Sequence, residues 1–527
     1  MTPRWLQVAA LACVVLGVFF RVYHLDRKVF WEDEMLGTMR MFGYTEADLV
    51  REAPHFSRAG DVQAYLRLPA DRSKDSLRNT LTALAAEDPQ HTPAYYLAGH
   101  LWAEAFGSSL AALRSLPALF GILVIPCVFW LGLELFDSRP AALVATALVA
   151  VSPVFVLYAQ EVREYSLWMM AIALLSVTFL RALRTGTVVS WCIYCASVAA
   201  GLYIYPLTIL VALGQGAYVL VRDRFRPTRD TARYAAALFV AGAAFLPWIV
   251  EMLRDRGLTR GARGLSGIAA AQLGLASRLS AAAHDIRSPF VDFGYLHAST
   301  FAGAATNGLF TLSICALVAY AFVVLVRTQA FRVWGFVVLG LCAPFLPLFA
   351  YRGFVYQTRY FAPLLLGLIL AVAALFARKI ASGSRARRAV WASLFVGVLA
   401  TQIASCYRSS QADTWWNKDG ESSRLVAAAV NGARAPIVVS RWFVSSILGL
   451  SYYLDADVPV RVALECSNCT LATPRRADLF SGVPDRDDVF VMDPPAEAPA
   501  GERFRLIDPR PFPPAGEPLT MFQRWAQ

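Results

Sequence analysis

Eleven apolar runs of roughly the length of a membrane-spanning helix dominate this sequence. A helix needs about 17–25 predominantly apolar residues to cross the hydrocarbon core of a bilayer. The runs lie near residues 5–23, 110–135, 139–158, 165–184, 187–204, 207–222, 233–250, 301–326, 333–350, 360–377 and 389–406. Soluble domains carry roughly 25% charged residues, whereas 17% of these 527 residues are charged and 57% are hydrophobic. The sequence therefore predicts an α-helical polytopic membrane protein with about 11 transmembrane helices.

Arginine clusters set the expected orientation of these helices, because arginine and lysine accumulate in cytoplasmic connections. With a cytoplasmic N-terminus, all clusters fall inside: Arg139, Arg181 and Arg184, residues 222–233, Arg327 and Arg332, and residues 378–388. The first run lacks a small-residue cleavage site, so we interpret it as a retained helix. The net charge of +11 then reflects membrane topology and not nucleic-acid binding. We expect a multi-pass protein of the bacterial inner (cytoplasmic) membrane.

The same orientation divides the chain into two expected domains. Residues 1–407 form the transmembrane module, with outer loops at 24–109 and 251–300. Residues 408–527 form a small soluble α/β domain on the extracytoplasmic side. In this domain the sequence predicts strands near 437–439, 460–464 and 489–492, a helix near 422–431 and proline-rich turns near 494–516.

Cys466 and Cys469 lie close together outside the apolar runs. A zinc site would need a second pair or nearby histidines, and the sequence has no histidine after His297. A redox centre would need a thioredoxin-like context, which is missing here. Because the predicted orientation places the pair in an oxidising compartment, we expect a disulfide.

A short helix is predicted at residues 93–106. Thr92 suits its N-cap, Pro93 its first position and Gly107 the position after its end. At about 21 Å it is too short to cross a hydrocarbon core of about 30 Å. We therefore interpret it as a juxtamembrane helix in the outer leaflet. Its positive N-terminal end, with His91 beside it, could hold an anion.

Three consecutive carboxylates, Glu32, Asp33 and Glu34, follow the first apolar run. A carboxylate near hydrocarbon costs about 2.5–3.5 kcal/mol, so charge there usually has a function. Carboxylates in such places often serve as general bases. The alternative is an interfacial turn whose charges face water.

Further polar residues fall at the outer ends of distant runs. Residues 160–165 read Gln-Glu-Val-Arg-Glu-Tyr, and Arg359 opens another run. An arginine can bind a phosphate through two parallel hydrogen bonds. Arg163 could instead anchor the helix at the interface or pair with Glu161 or Glu164. Arg359 could instead belong to an aromatic interfacial belt.

In their order along the chain, these residues resemble the C-type (GT-C) membrane glycosyltransferase superfamily. More closely, they resemble its branch of protein O-mannosyltransferases and lipid A aminoarabinose transferases. The matching motifs are Trp31-Glu32-Asp33-Glu34, His91-Thr92-Pro93-Ala94-Tyr95-Tyr96, Leu113-Arg114-Ser115-Leu116-Pro117, the run from Gln160 to Leu167, and Arg359-Tyr360-Phe361-Ala362-Pro363. The resemblance is good from residue 5 to about 185, patchy to 377 and absent in about the last hundred residues. Thr92 and Glu164 depart from the family's usual His-Pro-Pro and Arg-Pro-Tyr motifs.

The resemblance implies a glycosyltransferase that moves a hexosyl or pentosyl group from a polyprenyl-monophosphate donor to an acceptor (lipid, glycan or protein). The reaction would occur on the outer face of the membrane and invert the anomeric carbon. The partners would be the donor, the bilayer and the acceptor, without nucleic acid.

The resemblance also implies roles for particular residues. Asp33 would take the proton of the acceptor hydroxyl, with Glu34 beside it. The donor phosphate would be bound by His91, Arg163, Tyr165 and Arg359, and the site supported by Tyr95, Arg114, Gln160 and Glu161. Asp33, Glu34, His91 and Glu161 could supply ligands to a divalent metal, although their spacing does not require one. We expect no other cofactor.

Two other classes of protein remain as alternatives. A lipid-linked sugar flippase or transporter should show charges within its spans and similarity between its halves. The sequence shows neither. The other alternative is a noncatalytic component of an envelope-polysaccharide assembly complex. Asp33→Asn distinguishes it from an enzyme, because such a component would retain its function.

Overall fold

The computed structural model of this chain describes residues 2–69, 76–254, 275–293, 301–347, 358–415, 423–440 and 444–462, together with three strands nearer the C-terminus. Its first helices are α1 Arg4–Val22, α2 Glu32–Met41, α3 Glu46–Glu52, α4 Ala59–Gln63, α5 Leu77–Glu87 and α6 Pro93–Phe106. The bounds of α6 confirm the predicted short helix. Gly107 follows it with a φ of 87°, a conformation that glycine adopts without strain.

The helices from residue 110 to 411 follow the remaining apolar runs. They are α7 Leu110–Phe136, α8 Arg139–Ala150, α9 Pro153–Ala159, α10 Tyr165–Thr185, α11 Val188–Ile204, α12 Thr208–Arg222, α13 Arg229–Arg254, α14 Leu275–Arg287, α15 Phe301–Thr328, α16 Phe331–Gly335, α17 Ala362–Ala381 and α18 Arg385–Gln411. A π-helical segment, Phe336–Cys342, continues α16.

Within the described residues, seven helices are long and apolar enough to cross a membrane, and the pair α8 and α9, bent by 56°, makes an eighth. The chain is thus a polytopic α-helical membrane protein. The predicted count of about 11 adds to these eight three apolar helices of only 10–17 residues: α11, α12 and Phe331–Phe345. The 15 residues of α12 extend about 23 Å, less than a hydrocarbon core of about 30 Å.

The chain separates into two compact units. Unit 1 contains residues Met1–Leu25, Arg114–Val250 and Ala262–Gln411, and unit 2 contains Asp26–Leu113, Glu251–Gly261 and Ala412–Gln527. Two helices form the core of unit 1. The residues of α17 are buried from Ala362 to Phe376, and α8 is buried along most of its length.

The C-terminal part of unit 2 contains α19 Ser423–Asn431, β1 Ile437–Ser440, α20 Val444–Tyr453, β2 Val460–Val462, β3 Val489–Met492, β4 Phe504–Ile507 and β5 Met521–Arg524. The strands form one sheet in the order β2-β1-β3-β5-β4. β1 is parallel to β2 and β3, whereas β5 is antiparallel to β3 and β4.

The sheet confirms the three predicted strands and the α19 helix, but β4 and β5 were not predicted. β4 lies inside the stretch assigned to proline-rich turns, and its four residues are too few for a clear alternating pattern. Cys466 and Cys469 lie outside the described residues, so their disulfide stays a prediction.

Candidate active site

The break between α8 and α9 directs the loop that carries Glu161 and Arg163. The last carbonyl groups of a helix lack the regular bonds to a following turn, and in a membrane protein they need other partners. Arg21 Nη1 donates to the carbonyl of Ala150 at 2.5 Å, and Arg21 Nη2 to that of Val149 at 3.2 Å. The fully buried guanidinium also places its positive charge at the negative end of α8.

Two side chains of α18 complete this cap. Gln402 Nε2 donates to the carbonyl of Leu148 at 3.0 Å, and Cys406 Sγ to that of Val151 at 3.3 Å. Four successive carbonyl groups at the break therefore have partners from α1 and α18. This arrangement holds the 56° bend, from which α9 leads into residues 160–164.

Gln160, predicted to support the site, ties the loop back to α1. Its Nε2 donates to the carbonyls of Phe20 at 2.8 Å and Tyr23 at 3.0 Å, at the end of that helix. Arg21 caps α8 from the same turn of α1. The end of α1 and the break after α8 thus stabilise each other.

Arg163 and Arg359 converge on Tyr165 from distant segments. Their Cζ atoms lie 5.9 Å and 5.1 Å from the centroid of the Tyr165 ring. Arg163 Nε lies 3.5 Å from Glu164 Oε2, and Arg359 Nη1 lies 3.8 Å from Glu161 Oε1. These five residues, which we call the arginine cluster, are each at most 4% exposed.

The arginine cluster accounts for the departure of Glu164 from the family motif. Its carboxylate faces Arg163, so the alternative that Arg163 pairs with a neighbouring glutamate is confirmed as a contact. Both ion pairs are longer than a good hydrogen bond, which is about 2.7–3.2 Å. The carboxylates therefore balance the buried charge, and a role in phosphate binding stays a prediction.

Tyr165 also begins an aromatic wall. Its ring lies 6.0 Å from that of Tyr205, which stacks on Tyr360 at 6.4 Å and packs against Trp168 at 4.7 Å. The Tyr165 hydroxyl is buried and has no hydrogen-bond partner within the part of the chain that the structure describes. A buried, unsatisfied hydroxyl costs about 1–3 kcal/mol. Such a group is ready to donate to the oxygen of a ligand.

Arg359 is positioned by a residue that the sequence analysis did not assign to the site. Thr358 Oγ1 donates to Asp285 Oδ1 at 2.8 Å, which ties the turn Thr358–Phe361 to α14. Asp285 is buried. No sequence motif marks it, because the pairing joins residues 73 positions apart.

Arg114, predicted as a supporting residue, lies on α7 and is buried. Its Nη1 donates to the carbonyl of Leu25 at 2.8 Å. It therefore fixes the chain just after α1, within unit 1.

Asp33, Glu34, His91 and Tyr95 belong to unit 2. On α2, Glu32 is exposed, Asp33 is half-buried and Glu34 is fully buried. Glu34 Oε2 accepts from the backbone N–H of Trp31 at 3.4 Å, so Glu34 caps the start of its own helix. Negative charges at a helix N-terminus stabilise the helix through its dipole, so these three carboxylates favour the start of α2. The role of Asp33 as a base stays a prediction.

His91 and Tyr95 lie at the start of α6. The His91 side chain is 14% exposed, and its Nε2 lies 3.8 Å from Asp88 Oδ2. Tyr95 is buried. Thr92 occupies the N-cap position as predicted, but its hydroxyl does not cap the helix.

A buried ionic network around Arg40 holds α2 in place, and sequence reasoning missed it. Arg40 Nη2 lies 2.8 Å from Glu46 Oε1, and Arg40 Nη1 lies 3.0 Å from Asp88 Oδ2. Glu87 accepts from the backbone N–H groups of Glu46 and Ala47 at the start of α3. Burial raises the pKa of Glu87, although Arg40 and these two N–H groups oppose the shift. The network joins α2 to α3 and α5.

No group of three histidine, cysteine, aspartate or glutamate side chains among the described residues has the geometry of a metal site. Glu161 is the one predicted metal ligand that belongs to unit 1, where it faces Arg359.

Comparisons with known proteins identify the fold. Residues 90–250 match the family of dolichyl-phosphate-mannose-protein mannosyltransferases. No curated protein sequence matches significantly. The oligosaccharyltransferase of Archaeoglobus fulgidus, tethered with an acceptor peptide containing the NVT sequon, has a TM-score of 0.50 and 12% identity over 86% of this chain. This chain covers 64% of the archaeal protein.

The similarity to a second solved structure extends over a larger share of that protein than of the archaeal one. ArnT from Cupriavidus metallidurans in the apo state has a TM-score of 0.51 and 11% identity, over 86% of this chain and 85% of ArnT. ArnT bound to undecaprenyl phosphate has a TM-score of 0.46 and 12% identity over the same shares. The predicted superfamily is confirmed at the level of fold: this chain has the fold of the GT-C glycosyltransferases.

Proposed function

We propose that this GT-C protein transfers a sugar from a polyprenyl-monophosphate donor to an acceptor, with inversion at the anomeric carbon. The observation that carries the proposal is the arginine cluster, which places two guanidinium groups and a tyrosine hydroxyl in one buried site. Charge-assisted hydrogen bonds from arginine suit a phosphate. Preorganised donors at a developing negative charge are an effective way to stabilise a transition state.

On the donor side, the bond between the anomeric carbon and the phosphate oxygen breaks, and its electron pair stays with the phosphate. Arg163 and Arg359 stabilise the added negative charge, and the Tyr165 hydroxyl donates to a phosphate oxygen. The description of the matching family names dolichyl-phosphate mannose, and ArnT has been solved bound to undecaprenyl phosphate. These properties of other proteins support the same class of donor here.

On the acceptor side, Asp33 takes the proton of the attacking hydroxyl. Asp33 is half-buried at the start of α2, whereas Glu34 is used as a cap and Glu32 is exposed. Attack from the face opposite the leaving phosphate inverts the anomeric carbon. His91 is proposed to assist the donor phosphate from the start of α6.

We place the reaction on the outer face of the bacterial inner membrane. The support is the arginine distribution, which assigns the connections at 222–229, 327–332 and 378–388 to the cytoplasm. Tyr165 and Arg359 lie at helix starts. The arginine-rich cytoplasmic connections follow the other ends of the same apolar runs, so both residues are expected on the outer side.

The proposal is tested with purified protein, a panel of polyprenyl-phosphate sugars and a membrane extract as the source of acceptors. Mass spectrometry measures released polyprenyl phosphate. We expect release with one class of donor. Arg163→Ala should raise the donor KM about ten- to hundredfold, as expected for a charge-assisted bond of about 1.5–3 kcal/mol. Tyr165→Phe should cause a smaller loss, of about fivefold, without lowering thermal stability.

Arg181→Ala is the matched control, because Arg181 is half exposed and pairs with Glu134 at 3.4 Å, away from the cluster. It should leave the donor KM unchanged. Failure of every donor to release polyprenyl phosphate would overturn the proposal. An effect of Arg163→Ala on acceptor kinetics alone would remove Arg163 from the phosphate site.

A further inference from the structure

The irregular segment 26–31, between α1 and α2, takes its partners from residues 412–453, hundreds of positions away. The backbone N–H of Val29 donates to the carbonyl of Asp413 at 2.8 Å, and the indole N–H of Trp415 donates to the carbonyl of Val29 at 2.8 Å. The N–H of Phe30 donates to the Tyr453 hydroxyl at 2.7 Å. Buried backbone groups outside helices and sheets need such partners.

Side chains reinforce the same attachment. Arg424 Nη1 donates to the carbonyl of Arg27 at 2.8 Å, and the Arg424 guanidinium lies 5.1 Å from the centre of the Tyr453 ring. The Lys28 ammonium lies 5.3 Å from the centre of the Trp415 ring, although only 3% of Lys28 is exposed. A buried lysine over an indole face is a desolvated cation–π pair, the stronger kind.

A second attachment joins the C-terminal part of unit 2 to residues 57–63. The N–H of Ala59 donates to the carbonyl of Val458 at 2.8 Å, and the N–H of Val460 donates to that of Ser57 at 3.1 Å. Gln63 Nε2 donates to the carbonyls of Ser451 and Leu454 at 2.8 Å and 2.9 Å. This attachment reaches α20 without touching the segment before α2.

We propose that Asp413, Trp415, Arg424 and Tyr453 position the acceptor base: they hold segment 26–31, from which α2 and Asp33 begin. This inference rests on the proposed function. The carboxylate follows the held Phe30 by three residues, so a displacement of the segment moves it directly. A shift of about 1 Å in a reacting group can cost about a hundredfold in rate. Tyr453, Trp415 and Arg424 are thus positioning residues, which act on Asp33 through segment 26–31.

Two variants test this role. Tyr453→Phe removes the acceptor of the Phe30 N–H, and Trp415→Phe removes the donor to Val29. Both should raise hydrogen exchange of the amides of residues 29–35. Both should lower kcat about tenfold or more and leave the donor KM within about twofold, because neither variant alters a contact of Arg163, Tyr165 or Arg359. Gln63→Met is the matched control, since it removes only the hydrogen bonds to the carbonyls of Ser451 and Leu454 and keeps every direct contact with segment 26–31, so kcat and exchange at 29–35 should stay unchanged.

The outcomes separate this inference from the proposed function. Unchanged exchange at 29–35 in both variants would overturn the inference, whether or not transfer occurs. Increased exchange with unchanged kcat would show that the contacts with segment 26–31 do not position the base, and would overturn the inference. An equal loss of kcat in Gln63→Met would assign the effect to general destabilisation and overturn the inference. Absence of transfer by the parent protein would overturn the proposed function, and with it the positioning role.

Discussion

At the scale of residues, Asp33 and Glu34 are neighbours with different surroundings. Glu34 is fully buried and accepts from the N–H of Trp31, so part of its charge is used to start α2. Asp33 is half-buried, which leaves it accessible to a substrate. The sequence analysis grouped both as catalytic, because it could not tell which side of the helix start each faces. Only the three-dimensional packing of α2 separates them.

Asp33→Asn should therefore lower kcat strongly and leave the protein folded. Loss of a general base typically costs about 10²–10⁴-fold. Initial rates of transfer with saturating donor measure the effect, and thermal unfolding checks the fold. Glu32→Gln is the control at the exposed neighbouring position and should retain the parent rate. An Asp33→Asn rate within a few-fold of the parent would exclude the base role.

The residues around the site differ in how far sequence could identify them. Arg163, Tyr165 and Arg359 lie in motifs of a known order, and the structure brings them together. Arg40, Asp285 and Arg21 carry no motif. Their partners are set by packing between segments far apart in sequence, which no local pattern records.

At the scale of elements, the break after α8 shows how a membrane protein stabilises a bent span. A helix that ends inside the protein leaves carbonyl groups that water cannot reach. Arg21, Gln402 and Cys406 satisfy them. Close packing supports the cap, since a Cβ added at Gly17 would lie 2.2 Å from the Ala150 carbonyl oxygen. The sequence predicted one continuous run over 139–158 because its hydropathy does not change at the break.

Arg21→Met should destabilise unit 1, because it leaves the carbonyls of Val149 and Ala150 without these donors. The Val149 carbonyl still accepts from the backbone N–H of Ser152, so the main cost is an orphaned Ala150 carbonyl, about 1–3 kcal/mol. Thermal unfolding in detergent, compared with the parent, measures the loss as a lower Tm. Arg4→Met, at an exposed position of the same helix, removes the same type of side chain as a control. Equal Tm values for the parent and Arg21→Met would show that the cap contributes no stability.

Helix starts and stops were predictable where local signals are strong. The bounds Pro93–Phe106 follow from a proline at the first turn and a glycine after the last. The short helices α11 and α12 were read as full spans because their composition is apolar, although their lengths fall below that of a bilayer core. Apolar composition alone does not fix how deep a helix reaches.

At the scale of the whole molecule, the arginine distribution predicts an orientation that needs a direct test. Single cysteines replace the exposed residues Arg51, Arg226 and Ser384. In intact spheroplasts an impermeant thiol reagent should label position 51 and should not label positions 226 and 384, because arginine-rich connections stay in the cytoplasm. Lysed spheroplasts provide the control in which all three positions react.

The parent protein, which contains native cysteines, sets the background of the labelling. The reverse pattern, with positions 226 and 384 labelled in intact spheroplasts and position 51 protected, would show that the orientation is opposite to the predicted one. It would also move the proposed reaction to the cytoplasmic side.

The attachment of segment 26–31 has a consequence for synthesis. Val29 and Trp415 are 386 positions apart, and Phe30 and Tyr453 are 423 positions apart. The ribosome therefore delivers the partners of this segment only after the long apolar helices of the described residues have been made. Contacts between such distant positions form late in folding. If Asp33 is the base that we propose, a nascent chain already inserted in the membrane would lack a placed Asp33 and would acquire catalytic competence in the last stage of its own assembly.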